Sequence, residues 1–580
     1  VISSANRKAL SRLLGCAVLC AATPVSAGKT DMQTLNVAPS SKNTEGPSKD
    51  DYRTLENAGL YATAQEGGLG KDLWKGIKRS DLLRLMEDMP VESNDPTVQR
   101  LILGALLTQA DSAMIENDVP IEPGHDLLTL RLEKLVQAGA YKQAQDLYSS
   151  FDDLEPYHER LARAGILAML LNGEKSLACV EAETVKGAFA DSEFMAQVLA
   201  FCDVTLSDAP AQDSKDIMAT LKLRHQDLLI NKGAALSYNP ETFGGLPLIE
   251  KAFLASEGKI SFENSAVKDV NAIPPTHIRI LLVSDSLTPE NRFLLTAAAE
   301  NWGLAMPGEL KDVYKAALPP AGGDPSTLQV PDTSPDWEKI ALYHVIAANA
   351  ETDEAGWNAI KKGLDHGNRY GIGVLKPYAE LLAEAQPTDA TEDQLETAVR
   401  VLNTTGKPLP RQWSERILQM PLTAEKDKLN QRVYALHTIA ELSQHGGKKA
   451  PQNPDTADNT PYPPGSRGGY LLRNIIENVD KPQTNSDNAF RIYEKDYGLT
   501  FKQDYVMPST VVWNHLLEAG QRKNTGETVL LSAAVLQVAD LGKIYPGLLN
   551  DIRTGLSDVG LTDISTNLAI SAVLGNIQKN

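Results

Sequence analysis

Beyond Leu73, apolar residues recur every three or four positions along nearly the whole chain, and glycine or proline interrupts the recurrence at helix-length intervals. That period places apolar side chains on one face of a helix, whereas a half-buried strand needs strict alternation. "SDLLRLMEDM" sets Leu82, Leu83, Leu85, Met86 and Met89 on a helical stripe, with Ser80 as the expected N-cap and Pro90 as the stop. "DPTVQRLILGALLTQAD" follows, with Asp95 as cap and Pro96 at the first helical position. The same reading gives helices in "PTHIRILLVSDS", "TPENRFLLTAAAENWG", "PDWEKIALYHVIAANA" and "TEDQLETAVRVLN". No Asn-Gly or Asp-Gly turn stands between alternating runs. Aromatic residues make up 6% of the chain, which is thin for a sandwich or barrel and suits Ala/Leu helix packing. The expected fold is all-α.

"LLTLRLEKLVQAGAYKQAQDLYSSF" is the most informative stretch. One helix ends near Gly139, another starts at once, and Gly139, Tyr141, Ala144 and Tyr148 fall in the order G-x-Y-x-x-A-x-x-x-Y. This resembles the second half of a tetratricopeptide unit, which implies a glycine at the turn, a tyrosine packed into the hairpin and a small residue where two helices approach. "ARAGILAMLLNGEKSLACVEA" repeats the logic with Gly173 and Ala178 but has no matching tyrosine. A generic helical hairpin reads the same residues equally well. The expected architecture is a helical-hairpin, TPR-like solenoid or superhelix in two or three packed segments.

At 580 residues the chain has room for three or four domains at roughly 150 residues each. Residues 1–27 read as a secretory signal peptide, with Arg7, Lys8 and Arg12 before the apolar run Leu13–Ala22 and small residues at Val25-Ser26-Ala27. That run is about half the span of roughly 20 residues that a membrane helix needs. Cleavage after Ala27 takes the net charge from −19 to −22. So acidic a chain disfavours nucleic acid or an anionic lipid surface as its main partner. No later run is long enough to span a bilayer. Residues 28–67 are expected to be a flexible tether, 68–235 an N-terminal helical-repeat segment and 236–444 a middle helical segment. A mobile polar loop is expected over 445–469 and a C-terminal helical segment over 470–580.

Cys16 and Cys20 fall within the signal peptide, leaving Cys179 and Cys202 as an even count in an oxidising compartment. They lie on two helical patterns joined by a short turn, a geometry open to one disulfide or to two buried thiols.

Little in the chain has the spacing of a catalytic or metal site. "EGGLGKDLWKG" evokes a phosphate loop, yet Gln65 stands where the first glycine is needed and Asp72 where a hydroxyl must hold Mg²⁺. The three glycines, Gly67, Gly68 and Gly70, are better read as the turn into the folded body, pinned there by Leu73 and Trp74. No two of the nine histidines lie at i, i+3 or i, i+4, and H-E-x-x-H is absent. Asp365-His366 stands beside a glycine-rich turn. Glu92-Ser93 matches the Glu-Ser pair of lytic transglycosylases in order but lacks their aromatic and helical surroundings. The six tryptophans are spread singly, as helix-packing anchors are. The sequence therefore predicts no catalytic residue, cofactor or metal.

Several segments together resemble a group of uncharacterised exported bacterial proteins with helical-repeat architecture. They are "LGKDLWKG…DLLRLMEDMP", Cys179 with "AFCDV" around Cys202, "IPPTHIRILLVSDSLTPENRFLLTAAAENWGL", and the closing "GETVLL…GL…LAISAVL". The resemblance spans most of residues 68–580 and implies an exported, periplasmic helical body without supplying an activity. The leading expectation is an extracytoplasmic helical scaffold that binds other proteins; the alternative is an envelope enzyme or binding protein acting on cell-wall glycan.

Overall fold

Across the described residues the apolar period is realised as helices. The computed structural model of the protein describes residues 55–150, 158–221, 223–230, 234–263, 269–284, 286–318, 328–421, 428–444, 508–537, 541 and 544–575. The expected signal peptide, residues 28–54 of the expected tether and the polar loop 445–469 lie outside them. Among the described residues the only named strands are Leu236–Ser237 and Ile260–Ser261, paired in parallel with Leu236 opposite Ile260. The fold is all-α.

Local chemistry explains the helix ends. Asp95 caps helix Pro96–Leu107 by accepting from the amides of Thr97 and Val98 at 2.9 and 3.1 Å. Ser80, by contrast, lies inside helix Arg79–Asp88. The cap comes from a distance: Asp118 accepts from the Ser80 amide at 3.0 Å and from its hydroxyl at 2.5 Å. A side chain 38 residues downstream thus supplies the capping acceptor that the sequence reading expected of the serine.

Helices Leu127–Gln137, Tyr141–Ser149, Glu159–Leu171, Lys175–Val185, Glu193–Leu206 and Gln212–Thr220 each pack on the next. Gly139, at φ +77°, makes the first turn, and a Cβ there would lie 2.7 Å from Thr276 Cα. Glycine is needed twice over at this position, for its backbone conformation and for the approach of helix Pro275–Leu282. Ala144 and Tyr141 are buried, and the Tyr141 hydroxyl donates to the Thr276 carbonyl at 2.8 Å. The tyrosine therefore ties the hairpin to a later helix as well as packing within it.

The folded body begins earlier than the sequence predicts. Glu56, inside the expected tether, is wholly buried and receives two hydrogen bonds from Arg79, at 2.7 and 2.6 Å, and one from the Leu127 amide at 2.9 Å. The buried Arg131 ties the same segment to the end of helix Pro96–Leu107, donating to the carbonyls of Leu106, Ala58 and Thr108 at 2.6–3.1 Å. Three buried charged residues, Glu56, Arg79 and Arg131, are the internal fastening of residues 55–61. Paired and hydrogen-bonded, they avoid the cost of an isolated buried charge.

Helix Pro96–Leu107, apolar almost all round, is correspondingly buried on every side. Its neighbours include helices Thr525–Leu536 and Thr562–Gly575 from the far end of the chain and Glu392–Thr404 from the middle. Helix Thr525–Leu536 also packs on Arg79–Asp88. Just before helix Arg79–Asp88 the chain comes close to Gly526, where a Cβ would meet the Leu73 carbonyl oxygen and the Trp74 ring at 2.7 Å. In a stack whose units touch only their sequence neighbours such contacts would be absent. Here residues near both ends of the described chain share one core.

Candidate functional site

Among the described residues, two concave features bear on function. The first is a groove of about 840 Å³ between helices Lys175–Val185, Glu193–Leu206 and Gln212–Thr220. Its floor includes Cys179 and Cys202, whose sulfurs are 1.94 Å apart, at disulfide distance, with Cα atoms separated by 5.8 Å. Behind the floor, Phe201 stacks on Phe253 with ring centroids 4.0 Å apart, so the base is rigidly packed. The lining is largely apolar, and Val180 and Leu206 leave 63% and 52% of their surface in solvent. Leu177, one turn before Val180, is 42% exposed. A fully folded helical body has no local need for this cluster of exposed aliphatics.

The groove carries charge of one sign. Glu183, Asp203 and Asp213 stand on its walls, and no lysine or arginine lines it. Lys186, beyond the wall, pairs with Glu183. Hydrogen bonds from the Ser214 hydroxyl and the Ala211 amide hold the Asp203 carboxyl below its usual range and keep it ionised.

The second feature is a cavity of about 420 Å³ where Ser93–Pro96, Ala298–Trp302, Arg400–Thr404 and Ser571–Gly575 meet, with Ile372 and Leu541 completing the wall. Asn403 donates to the Ser571 hydroxyl at 2.9 Å, and Arg400 donates to the Leu574 carbonyl at 3.0 Å and to Glu396 at 2.7 Å. Arg100, just behind the wall, donates to the Asn403 carbonyl at 3.0 Å. Burial pushes its guanidinium down to about 10, offset in part by Asp95. Burial likewise raises the Asp95 carboxyl, against the opposing effect of its amide donors and Arg100. The Asn403 side-chain oxygen is buried with no hydrogen-bond partner.

The residues singled out from sequence are distributed as follows. Cys179 and Cys202 come together on the groove floor. Trp74 is fully buried against Gly526. Gly139, Tyr141 and Ala144 are in the hairpin core and line neither concavity. Gly67 and Gly70 adopt φ +102°, but they turn within the body, which already includes residues 55–61, and not at its entry. Ser93 is buried on the cavity wall while Glu92 is exposed. His366 Nδ1 lies 2.9 Å from Asp336, and Asp365 accepts from Gln394 at 3.0 Å, so the pair is divided between two structural contacts. Trp357 and Trp413 pack edge to face at 5.8 Å, and their indoles donate to Asp389 and the Leu382 carbonyl. Trp302 lines the second cavity. Among the described residues there is no cluster of histidine, cysteine and acidic side chains suited to a metal, and no helix long and apolar enough to cross a membrane.

Sequence reasoning found the cysteines and missed both concavities. The signal for the groove was present: Leu177, Val180 and Leu206 exceed what the inward faces of their helices require. The cavity left none, because its walls are hundreds of residues apart in the chain. Compared with known protein families, curated proteins and solved structures, the chain has no match.

Proposed function

We propose that the protein is an extracytoplasmic helical scaffold, built of TPR-like hairpins in its N-terminal part, whose groove docks a basic amphipathic helix of a partner protein. The observation that carries this reading is the exposed aliphatic cluster, Val180 and Leu206 above all, walled by carboxylates without a lining cation. An amphipathic helix seats its apolar face in such a groove, and flanking lysines or arginines complement the acidic rim. Export is supported by the basic and apolar segments of residues 1–27 and by a cysteine pair at bonding distance, which an oxidising compartment maintains.

The test uses a defined probe: a labelled Leu/Lys amphipathic peptide, compared with a Leu/Glu peptide of the same period, titrated by fluorescence anisotropy. The Leu/Lys peptide is expected to bind and to weaken at least about tenfold in Val180→Asp/Leu206→Asp, a loss of about 1.4 kcal/mol. Equal binding of both peptides, or binding indifferent to the double variant, would contradict the reading.

A further inference from the structure

The cavity at the meeting of Ser93–Pro96, Ala298–Trp302, Arg400–Thr404 and Ser571–Gly575 has no part in the groove. We propose that it binds a small, uncharged polyhydroxy ligand of one or two sugar rings. Its volume of about 420 Å³ lies within the range of roughly 300–1,000 Å³ usual for small-molecule sites.

The charges around it cancel locally. Arg400 is paired with Glu396, and Arg100 lies near Asp95, which leaves no surplus to hold a phosphate or carboxylate. What remains on the wall is amide and hydroxyl: Asn94, Asn301, Asn403, Ser93, Thr404 and Ser571, the last already engaged with Asn403 and Asp95. Such groups donate and accept at once, as sugar hydroxyls do. Asn403 adds a specific demand. It is 5% exposed, its amide nitrogen is committed to Ser571, and its oxygen has no donor. A buried acceptor left unpaired costs about 1–3 kcal/mol, and a ligand hydroxyl reaching it would recover that. Trp302 and Ile372 supply the apolar surface against which the C–H face of a sugar ring packs. Because the walls come from separated stretches of chain, an occupant would fasten them together, and its binding would appear as stability.

The experiment is a calorimetric and thermal-shift titration of the full chain with maltose, trehalose and N,N′-diacetylchitobiose, each to about 10 mM. Inorganic phosphate and a neutral tripeptide serve as contrasting probes. At least one saccharide is expected to bind and raise Tm, with affinity lowered tenfold or more in Asn301→Ala and Trp302→Ala. Both substitutions sit at half-buried wall positions, and Asn403→Leu is the harsher third variant. Val180→Asp, in the groove, is expected to leave saccharide binding unchanged, so the two sites fail or succeed separately. Absence of binding by all three saccharides, binding of phosphate or tripeptide in their place, or saccharide binding that survives both wall substitutions would overturn the proposal.

Discussion

At the scale of single residues, the sequence was most legible where one side chain governs its own backbone. Asp95 caps and Gly139 turns as their chemistry dictates. It was least legible where a distant partner decides, as at Ser80, whose cap is Asp118, and at Glu56, whose place is set by Arg79. Trp74 lies between: its size announced an anchor, but nothing local named Gly526 as the surface it meets. Trp74→Ala empties a fully buried site and should cost about 3–5 kcal/mol in urea unfolding, with faster proteolysis near the N-terminal helices. His277 makes a pH prediction. Burial, assisted by Lys251, lowers its imidazole to about 4, and the Tyr238 hydroxyl lies 2.8 Å from Nδ1. The folded-state value is below that of the unfolded chain, near 6.5. The contribution to stability is therefore complete above about pH 6.5 and falls away, by about 1.4 kcal/mol per unit, as pH drops toward 4. Unfolding free energies from urea titration at pH 7 and pH 5 should differ by about 2 kcal/mol less in His277→Gln than in the wild type.

At the scale of elements, the helical period and the caps located the helices well, because each is a local statement about which face is apolar. Helix Asp353–Gly367 is poorly marked in the sequence, since its charged and glycine-containing run blurs the stripe that Trp357, Ile360 and Leu364 nonetheless form. The cysteine-bearing helices show how an element-level guess becomes physical. Spacing made a staple conceivable, and the fold sets the two sulfurs at bonding distance beneath the groove. In the chain-entropy account, closing a loop of this length stabilises by about 3 kcal/mol. Cys179→Ser/Cys202→Ser should therefore lower the unfolding free energy by about that amount and increase hydrogen exchange in helices Lys175–Val185 and Glu193–Leu206. Mass mapping that finds both thiols free in the native protein would contradict the bonded pair.

At the scale of the whole molecule, the core shared by helices from both ends was invisible in the sequence, because no local pattern reports that Thr525–Leu536 lies on Pro96–Leu107. The cavity is a product of that closure and was hidden with it. Gly526→Leu should loosen the contact and raise hydrogen exchange in residues 73–107 as well as in 525–536; a change confined to the C-terminal helix would refute the shared core. The central claim concerns the groove that this closed body leaves open. Its most direct test is hydrogen exchange of the full chain with and without the Leu/Lys peptide. The account predicts new protection in residues 176–217 and little elsewhere. Unchanged exchange across 176–217 at a peptide concentration that saturates binding, or protection appearing on another face, would contradict it.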